Sequence, residues 1–307
     1  MALYDMAIIG GGPGGYTAAL YAARAGLKAA VLEKLSAGGQ MALTNEIDNW
    51  PGSQETLDGF ELGERMRLHA ERFGAETILT EVQDLELSGD IKKLSTDSGE
   101  ILARTVVIAT GAGPKPLGLP REEAFAGRGL HYCASCDGMF YRGKTVMVVG
   151  GGDSAAADAM LLSRVAKRVI LVHRRGTLRA TKLYHAPLLG APNVEALWNS
   201  AVTELHGGDR LNAVTVKNLL TGQEERIEID GLFVSIGRKP ATSFLEGKLR
   251  LDEGGYIPAA ESTETEIPGV YAVGDVRAKE VRQIITAAAD GAVAVHYAES
   301  YLAGLEQ

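Results

Sequence analysis

Only two cysteines occur in 307 residues, too few for a disulfide scaffold, and they stand two residues apart in Cys133-Ala134-Ser135-Cys136-Asp137. A C-x-x-C in a chain with no other thiol reads as a redox pair. Zinc asks for about four ligands, and the sequence offers neither a second cysteine pair nor a neighbouring His-x-x-His, so no metal is expected. Aromatic residues make up only 6% against 46% hydrophobic residues, with glycine numerous at 38. That balance suits helices packed on parallel sheets better than a β-sandwich. Positive charge is also short: the net charge of -8 argues against a nucleic-acid or anionic-membrane partner. Long apolar runs are missing as well. Met6 to Ile9 meets glycines at once, no signal-peptide pattern precedes it, and a cytoplasmic protein with no membrane role is expected. At 307 residues the chain is near the size at which one core stops growing, so about two domains are expected.

What is present is a repeated unit of strand, glycine-rich turn and helix. Tyr4 to Ile9 reads as a buried strand, Gly10-Gly11-Gly12-Pro13-Gly14-Gly15 supplies G-x-G-x-x-G, and Tyr16 to Ala25 has the small apolar face of a helix lying on a sheet. Gly10 permits the turn, Gly12 lets backbone approach a pyrophosphate, and Gly15 lets helix and strand come close. The helix N-terminus favours the phosphate charge. A second strand, Ala29 to Leu32, ends in Glu33, about 20 residues past the glycines, where a carboxylate accepts from ribose hydroxyls.

The second copy runs from Thr145 to Val149, turns at Gly150-Gly151-Gly152-Asp153-Ser154-Ala155, and continues as an alanine-rich helix through Leu162. Its next strand, Arg168 to Val172, leads into His173-Arg174-Arg175, with Arg179 following. Cations thus replace the acid of the first copy, and arginine forks match a ribose 2'-phosphate, which selects NADPH over NADH. Two dinucleotides are expected, with FAD at the amino-terminal copy.

Thr105 to Ala109 reads as a strand entering Thr110-Gly111-Ala112 and a linker with Pro114, Pro116 and Pro120. Phe233 to Pro240 is a matching exit. Residues 113–242 are therefore expected to form an inserted domain, and residues 1–112 and 243–307 the domain that surrounds it. Val270 to Asp275 is a buried strand ending in Gly274-Asp275, whose carboxylate suits the ribityl chain of a flavin, and Arg282-Gln283 precedes a small-residue helix from Ile284 to Ala298.

Taken in order, Gly10 to Gly15, Gly38-Gly39-Gln40-Met41, Asn49-Trp50-Pro51-Gly52, Cys133 to Gly138, Gly150 to Ala155, His173 to Arg179, Gly274-Asp275-Val276 and Arg282-Gln283 cover the whole chain. In these landmarks it resembles the low-molecular-weight thioredoxin reductases of bacteria and archaea. The resemblance implies an α/β fold of the pyridine nucleotide-disulfide oxidoreductase type: two Rossmann-like dinucleotide-binding domains, an FAD domain with an NADPH domain inserted that carries the C-x-x-C. It also implies a homodimer, and thioredoxin as protein substrate, with a variant thioredoxin or a glutaredoxin-like protein as the alternative. Cofactor contacts are implied at Gly10, Gly12, Pro13, Gly15, Glu33, Gly39, Gln40, Asn49, Thr110, Gly111, Gly274, Asp275, Arg282 and Gln283, and at Gly150, Gly152, Asp153, Ser154, Ala155, His173, Arg174, Arg175 and Arg179. Cys136 is implied to face the flavin and Cys133 to attack the substrate disulfide. Ser135 departs from the common threonine or valine, and Gly176 from the acid often found there.

Some readings stay open on the sequence alone. Asp137 is a proton handler for the thiols or a turn residue ahead of Gly138. His131 tunes the thiolate or is a loop histidine without chemical role, the latter being the expectation. Met139 and Phe140 dock a partner or belong to the core. Because one cysteine pair must meet first the flavin and then a large substrate, a domain rotation about the connections near residues 113 and 242 is expected. A dithiol flavoenzyme competes with a flavoprotein lacking thiol chemistry and with a nucleotide-binding regulator. The cysteine pair favours the first.

Overall fold

The computed structural model describes residues 3–44 and 46–305. The chain forms two compact units, one of Met1–Gly113 with Lys239–Gln307 and one of Pro114–Arg238.

In the first unit the strand Leu3–Ile9 is apolar on both faces, as a strand sandwiched between layers must be. It runs parallel to Ala29–Glu33 on one side, with Ile8 opposite Val31, and to Gly99–Ile108 on the other, with Ile8 opposite Val107. Glu76–Leu79 extends the sheet beyond Ala29–Glu33. The long strand Gly99–Ile108 changes partner along its length. Its first half pairs antiparallel with Lys92–Thr96, and its last three residues pair in parallel with Val270–Ala272. That last pairing returns the C-terminal segment to the first sheet. One face packs Met6, Ile8, Tyr16, Ala18, Val31, Val107, Tyr271 and Ala294, the other Ala7, Ile9, Leu32, Ile108, Leu245 and Val276.

The helices Pro13–Arg24 and Ile284–Leu305 approach one another through glycine: a Cβ on Gly291 would overlap the Gly14 carbonyl oxygen. The helix Gly59–Arg72 is capped by Asp58, whose side chain accepts from the Glu61 amide at 2.9 Å, satisfying one orphan donor of its first turn.

The second unit has a five-stranded, wholly parallel sheet in the order Val194–Trp198, Arg168–His173, Thr145–Val149, Gly231–Val234 and Leu130–His131. The helix Asp153–Ser163 covers one face through Ala155, Ala156, Ala159 and Leu162. The opposite face carries a three-stranded antiparallel sheet, Ser200–Gly207, Leu211–Asn218 and Glu224–Glu228, whose Val202, Leu205, Val214 and Val216 pack on Met147, Ile170 and Val172. Between the units the chain crosses twice, and the crossing segments Ala112–Pro114 and Arg238–Pro240 run side by side as a two-stranded ladder. The ladder is flanked by bonds from the Lys115 amide to the Gly237 carbonyl and from the Ala241 amide to the Gly111 carbonyl.

Candidate functional site

The first glycine turn leaves a cradle at a helix start. Gly10 has φ +104° and a Cβ there would stand 2.6 Å from the Ala109 oxygen, while a Cβ on Gly15 would overlap the Gly10 carbonyl. Gly12, the residue ahead of the helix, has open space where a side chain would be, no side chain caps the helix, and Pro13 occupies its first turn. Free amides facing open space at a helix N-terminus accept an anion. Glu33 sits at the end of its strand with one carboxylate oxygen taking the Gly11 amide at 2.6 Å and the other the Leu35 amide at 2.9 Å. Each oxygen keeps a further lone pair for a ribose hydroxyl. The Tyr16 hydroxyl beneath the turn is buried, and burial pushes its pKa up to about 12.

Other expected contacts converge on this turn. Gly38 donates to the Gly11 carbonyl, and Gly39, at φ +55°, lies 3.5 Å from the Gly12 Cα when measured from an added Cβ, so Gln40 starts a short helical turn beside the cradle. Gly14 abuts Val273 and Ala287, which brings Gly274 and Asp275 next to the same turn. Gly274 has φ +72°, and its amide donates to Asp290 at 2.8 Å. Asp290, buried, is in turn bridged by Lys279 at 2.7 Å and Arg277 at 3.3 Å. The Asn49 amide donates to Gln283 at 3.0 Å, the Arg282 guanidinium lies 4.4 Å over the Tyr256 ring with its Nε buried and unbonded, and the Thr110 hydroxyl donates to the Ala241 carbonyl beside Gly111. Arg277, Lys279 and Asp290 were not singled out in the sequence; their signal, a buried acid inside an alanine-rich helix, is visible at Asp290.

The second turn repeats the cradle with different charge. A Cβ on Gly150 would overlap the Ser235 carbonyl, and one on Gly151 would overlap the His173 ring. Gly152 faces open space, with only the Arg179 guanidinium at 4.0 Å. The Arg179 and Ala180 amides both donate to the Gly151 carbonyl, and Asp153 accepts from the Thr181 amide at 2.6 Å, so the arginine segment is laced onto the turn that carries Ser154 and Ala155. Arg174, Arg175 and Arg179 are exposed and make no ion pair among the described residues. His173 is buried, its Nε2 unbonded; burial, then the three neighbouring guanidinium charges, lower its pKa and keep the imidazole neutral. Unpaired guanidinium forks and an orphaned imidazole nitrogen around an open helix start fit a phosphate-bearing ligand.

Cys133 and Cys136 are joined in a disulfide with Cα atoms 5.3 Å apart, and the helical turn Ala134–Asp137 spans them. The Asp137 amide donates to the Cys133 carbonyl at 3.1 Å, which ties the acid to the cysteine pair. Ser135 Oγ lies 3.3 Å from Cys133 Sγ. The expectation of a loop histidine at 131 is overturned. His131 ends a parallel strand opposite Phe233, is buried, and meets Asp137 Oδ2 through Nδ1 at 3.0 Å and the Tyr141 hydroxyl through Nε2 at 2.6 Å. A two-residue strand is too short for periodicity to reveal. Met139 is exposed, whereas Phe140 packs against the core of the second unit. Among the described residues no cluster of His, Cys, Asp and Glu suits a metal ion, and no helix is long and apolar enough to cross a membrane.

The family of pyridine nucleotide-disulphide oxidoreductases matches residues 4–291. The chain is 42% identical to a thioredoxin reductase of Peptoclostridium acidaminophilum over 98% of this chain and 97% of that one. It is 40% identical to a thioredoxin reductase of Bacillus subtilis, covering 99% and 96%. Among solved structures it is similar to a thioredoxin reductase of Streptococcus pyogenes, with a TM-score of 0.93, 42% identity and 99% of each chain covered.

Proposed function

We infer, since this chain belongs to the pyridine nucleotide-disulphide oxidoreductase family, that it is a thioredoxin-disulfide reductase using FAD and NADPH. The observation that carries this reading is the Cys133–Cys136 disulfide set beside Asp137 in a chain with two open dinucleotide cradles. When bound, the nicotinamide supplies a hydride and the flavin relays its two electrons to that disulfide. The unit of Met1–Gly113 with Lys239–Gln307 would hold FAD through Gly10 to Gly15, Glu33, Gly274 and Asp275. The unit Pro114–Arg238 would hold NADPH through Gly150 to Ala155, with Arg174, Arg175 and Arg179 on the 2'-phosphate.

The thiols do the protein-directed work. Cys133 Sγ attacks one sulfur of the substrate disulfide, a mixed disulfide forms, and the other substrate sulfur leaves as thiolate. Cys136 then attacks Cys133 Sγ, which restores the Cys133–Cys136 bond and releases the second substrate sulfur. Asp137 takes the proton of the attacking thiol and returns it to the leaving one. The working form is a homodimer in the cytoplasm; the large apolar side chains Leu43 and Phe60 stand exposed, as surface for a second copy.

The test is anaerobic NADPH oxidation by the purified protein with oxidised thioredoxin. Rapid turnover that is abolished in Cys136→Ser is expected. Turnover that survives in Cys136→Ser removes the dithiol from the route, and flavin bleaching without thioredoxin reduction points to another disulfide partner.

A further inference from the structure

Four side chains of the second unit form a line of hydrogen bonds that ends on the acid beside the cysteines. Arg210 donates to the Tyr141 hydroxyl at 2.8 Å, the Tyr141 hydroxyl lies 2.6 Å from His131 Nε2, and His131 Nδ1 lies 3.0 Å from Asp137 Oδ2. The direction of the line follows from chemistry. A guanidinium only donates, so the Tyr141 oxygen is an acceptor at that end and its single proton is left for His131 Nε2. Nε2 then accepts, which places the imidazole hydrogen on Nδ1, aimed at the carboxylate. Burial holds the Tyr141 phenol above its ordinary pKa, with Asp137 and Asp230 acting the same way and Arg210 against, so the hydroxyl keeps the proton the line requires.

The surroundings fix each member. His131 stacks on Phe233 with centroids 5.3 Å apart and the planes 27° from parallel, while Tyr141 meets both rings edge-on. Tyr141 and Phe233 are fully buried. The charges facing the group are Arg210 and Lys144, 5.7 and 5.4 Å over the Tyr141 ring, Asp230 beyond it, and Asp137 itself. An imidazole wedged in this way cannot turn without breaking two bonds.

We propose that His131 is a positioning residue for dithiol exchange: held in its Nδ1–H form by Tyr141 and Arg210, it anchors one oxygen of Asp137 and leaves the other to carry the thiol proton. The proposal rests on Asp137 being the proton carrier. A donor on the anchored oxygen stabilises the ionised carboxylate, which is the form that takes a proton from the attacking thiol. Removing the donor leaves the carboxylate free to swing.

The experiment is the pH profile of thioredoxin reduction by the holoenzyme. His131→Leu is expected to move the acid limb of the profile upward by about one pH unit, the value of one charged hydrogen bond, and to slow turnover roughly tenfold, and Tyr141→Phe, which loosens the imidazole but keeps Nδ1, to move it the same way by less. His131→Asn, which places an amide N–H near the position of Nδ1, is expected to return the limb to within a few tenths of a pH unit of the wild type. Asp137→Asn is expected to abolish the limb. If Asp137→Asn abolishes it while His131→Leu and Tyr141→Phe leave it in place, however slow they are, the positioning role is wrong and the acid survives. If Asp137→Asn retains the limb, both fall. Should His131→Leu fail to fold, Tyr141→Phe, which removes a single oxygen, decides the matter.

Discussion

Arg174, Arg175 and Arg179 meet no acid among the described residues, and the helix start they surround is open at Gly152. Uncompensated charge at the surface is inexpensive in water, so its clustering here speaks for a ligand more than for stability. A hydrogen bond to a charged group contributes about 1.5–3 kcal/mol, about 10- to 150-fold, so replacing both Arg174 and Arg175 by Ala is expected to raise the KM for NADPH by about 100-fold or more. The KM for NADH should move little. Parallel steady-state assays with the two nucleotides check this, and equal losses would mean that the arginines do not read the 2'-phosphate. Their place beside the turn was legible because the glycine turn, the strand and the cations follow one another in sequence. The network at Asp137 was not. Tyr141 and Arg210 are 69 positions apart, and their meeting depends on how a sheet and a loop fold back, which spacing along the chain does not encode.

At the scale of elements, glycine decides how closely the layers approach. The helix Ile284–Leu305 contains Gly291, where a Cβ would overlap the Gly14 carbonyl, and Gly304, where nothing lies within 4 Å. Gly291→Ala should therefore cost about 1–3 kcal/mol through displacement of the helix Pro13–Arg24, measured by urea unfolding. Gly304→Ala in the same helix should be neutral or slightly stabilising, since alanine is the better helix former. Similar effects at both sites would show that close approach is not what Gly291 provides.

The elements read from sequence were those with continuous apolar runs beside glycine turns, such as Thr145–Val149 and Leu3–Ile9. The antiparallel sheet from Ser200 to Glu228 escaped because its strands are half exposed and carry Glu204, His206 and Lys217 among the apolar positions. Its signal was the turn Gly207-Gly208-Asp209 between two alternating runs. The last helix runs on past Ala298 to Leu305 because Glu299, Ser300 and Tyr301 contain no breaker.

At the scale of the whole molecule, each copy carries a net charge of -8, so self-association has to overcome like-charge repulsion. Sedimentation equilibrium at physiological salt is expected to give about twice the chain mass of 32.5 kDa, with weaker association as salt is lowered. A single-chain mass at all protein concentrations would remove the dimer. The ladder formed by Ala112–Pro114 and Arg238–Pro240 has a consequence of another kind. A segment whose entry and exit are neighbours is a cassette: residues 114–238 can be lifted out and the flanking ends rejoined across the width of two strands. The outer unit would then close over the splice without rethreading, and the removed piece would be one uninterrupted gene segment. Such a junction allows one module to be traded for another while the frame that receives it stays the same.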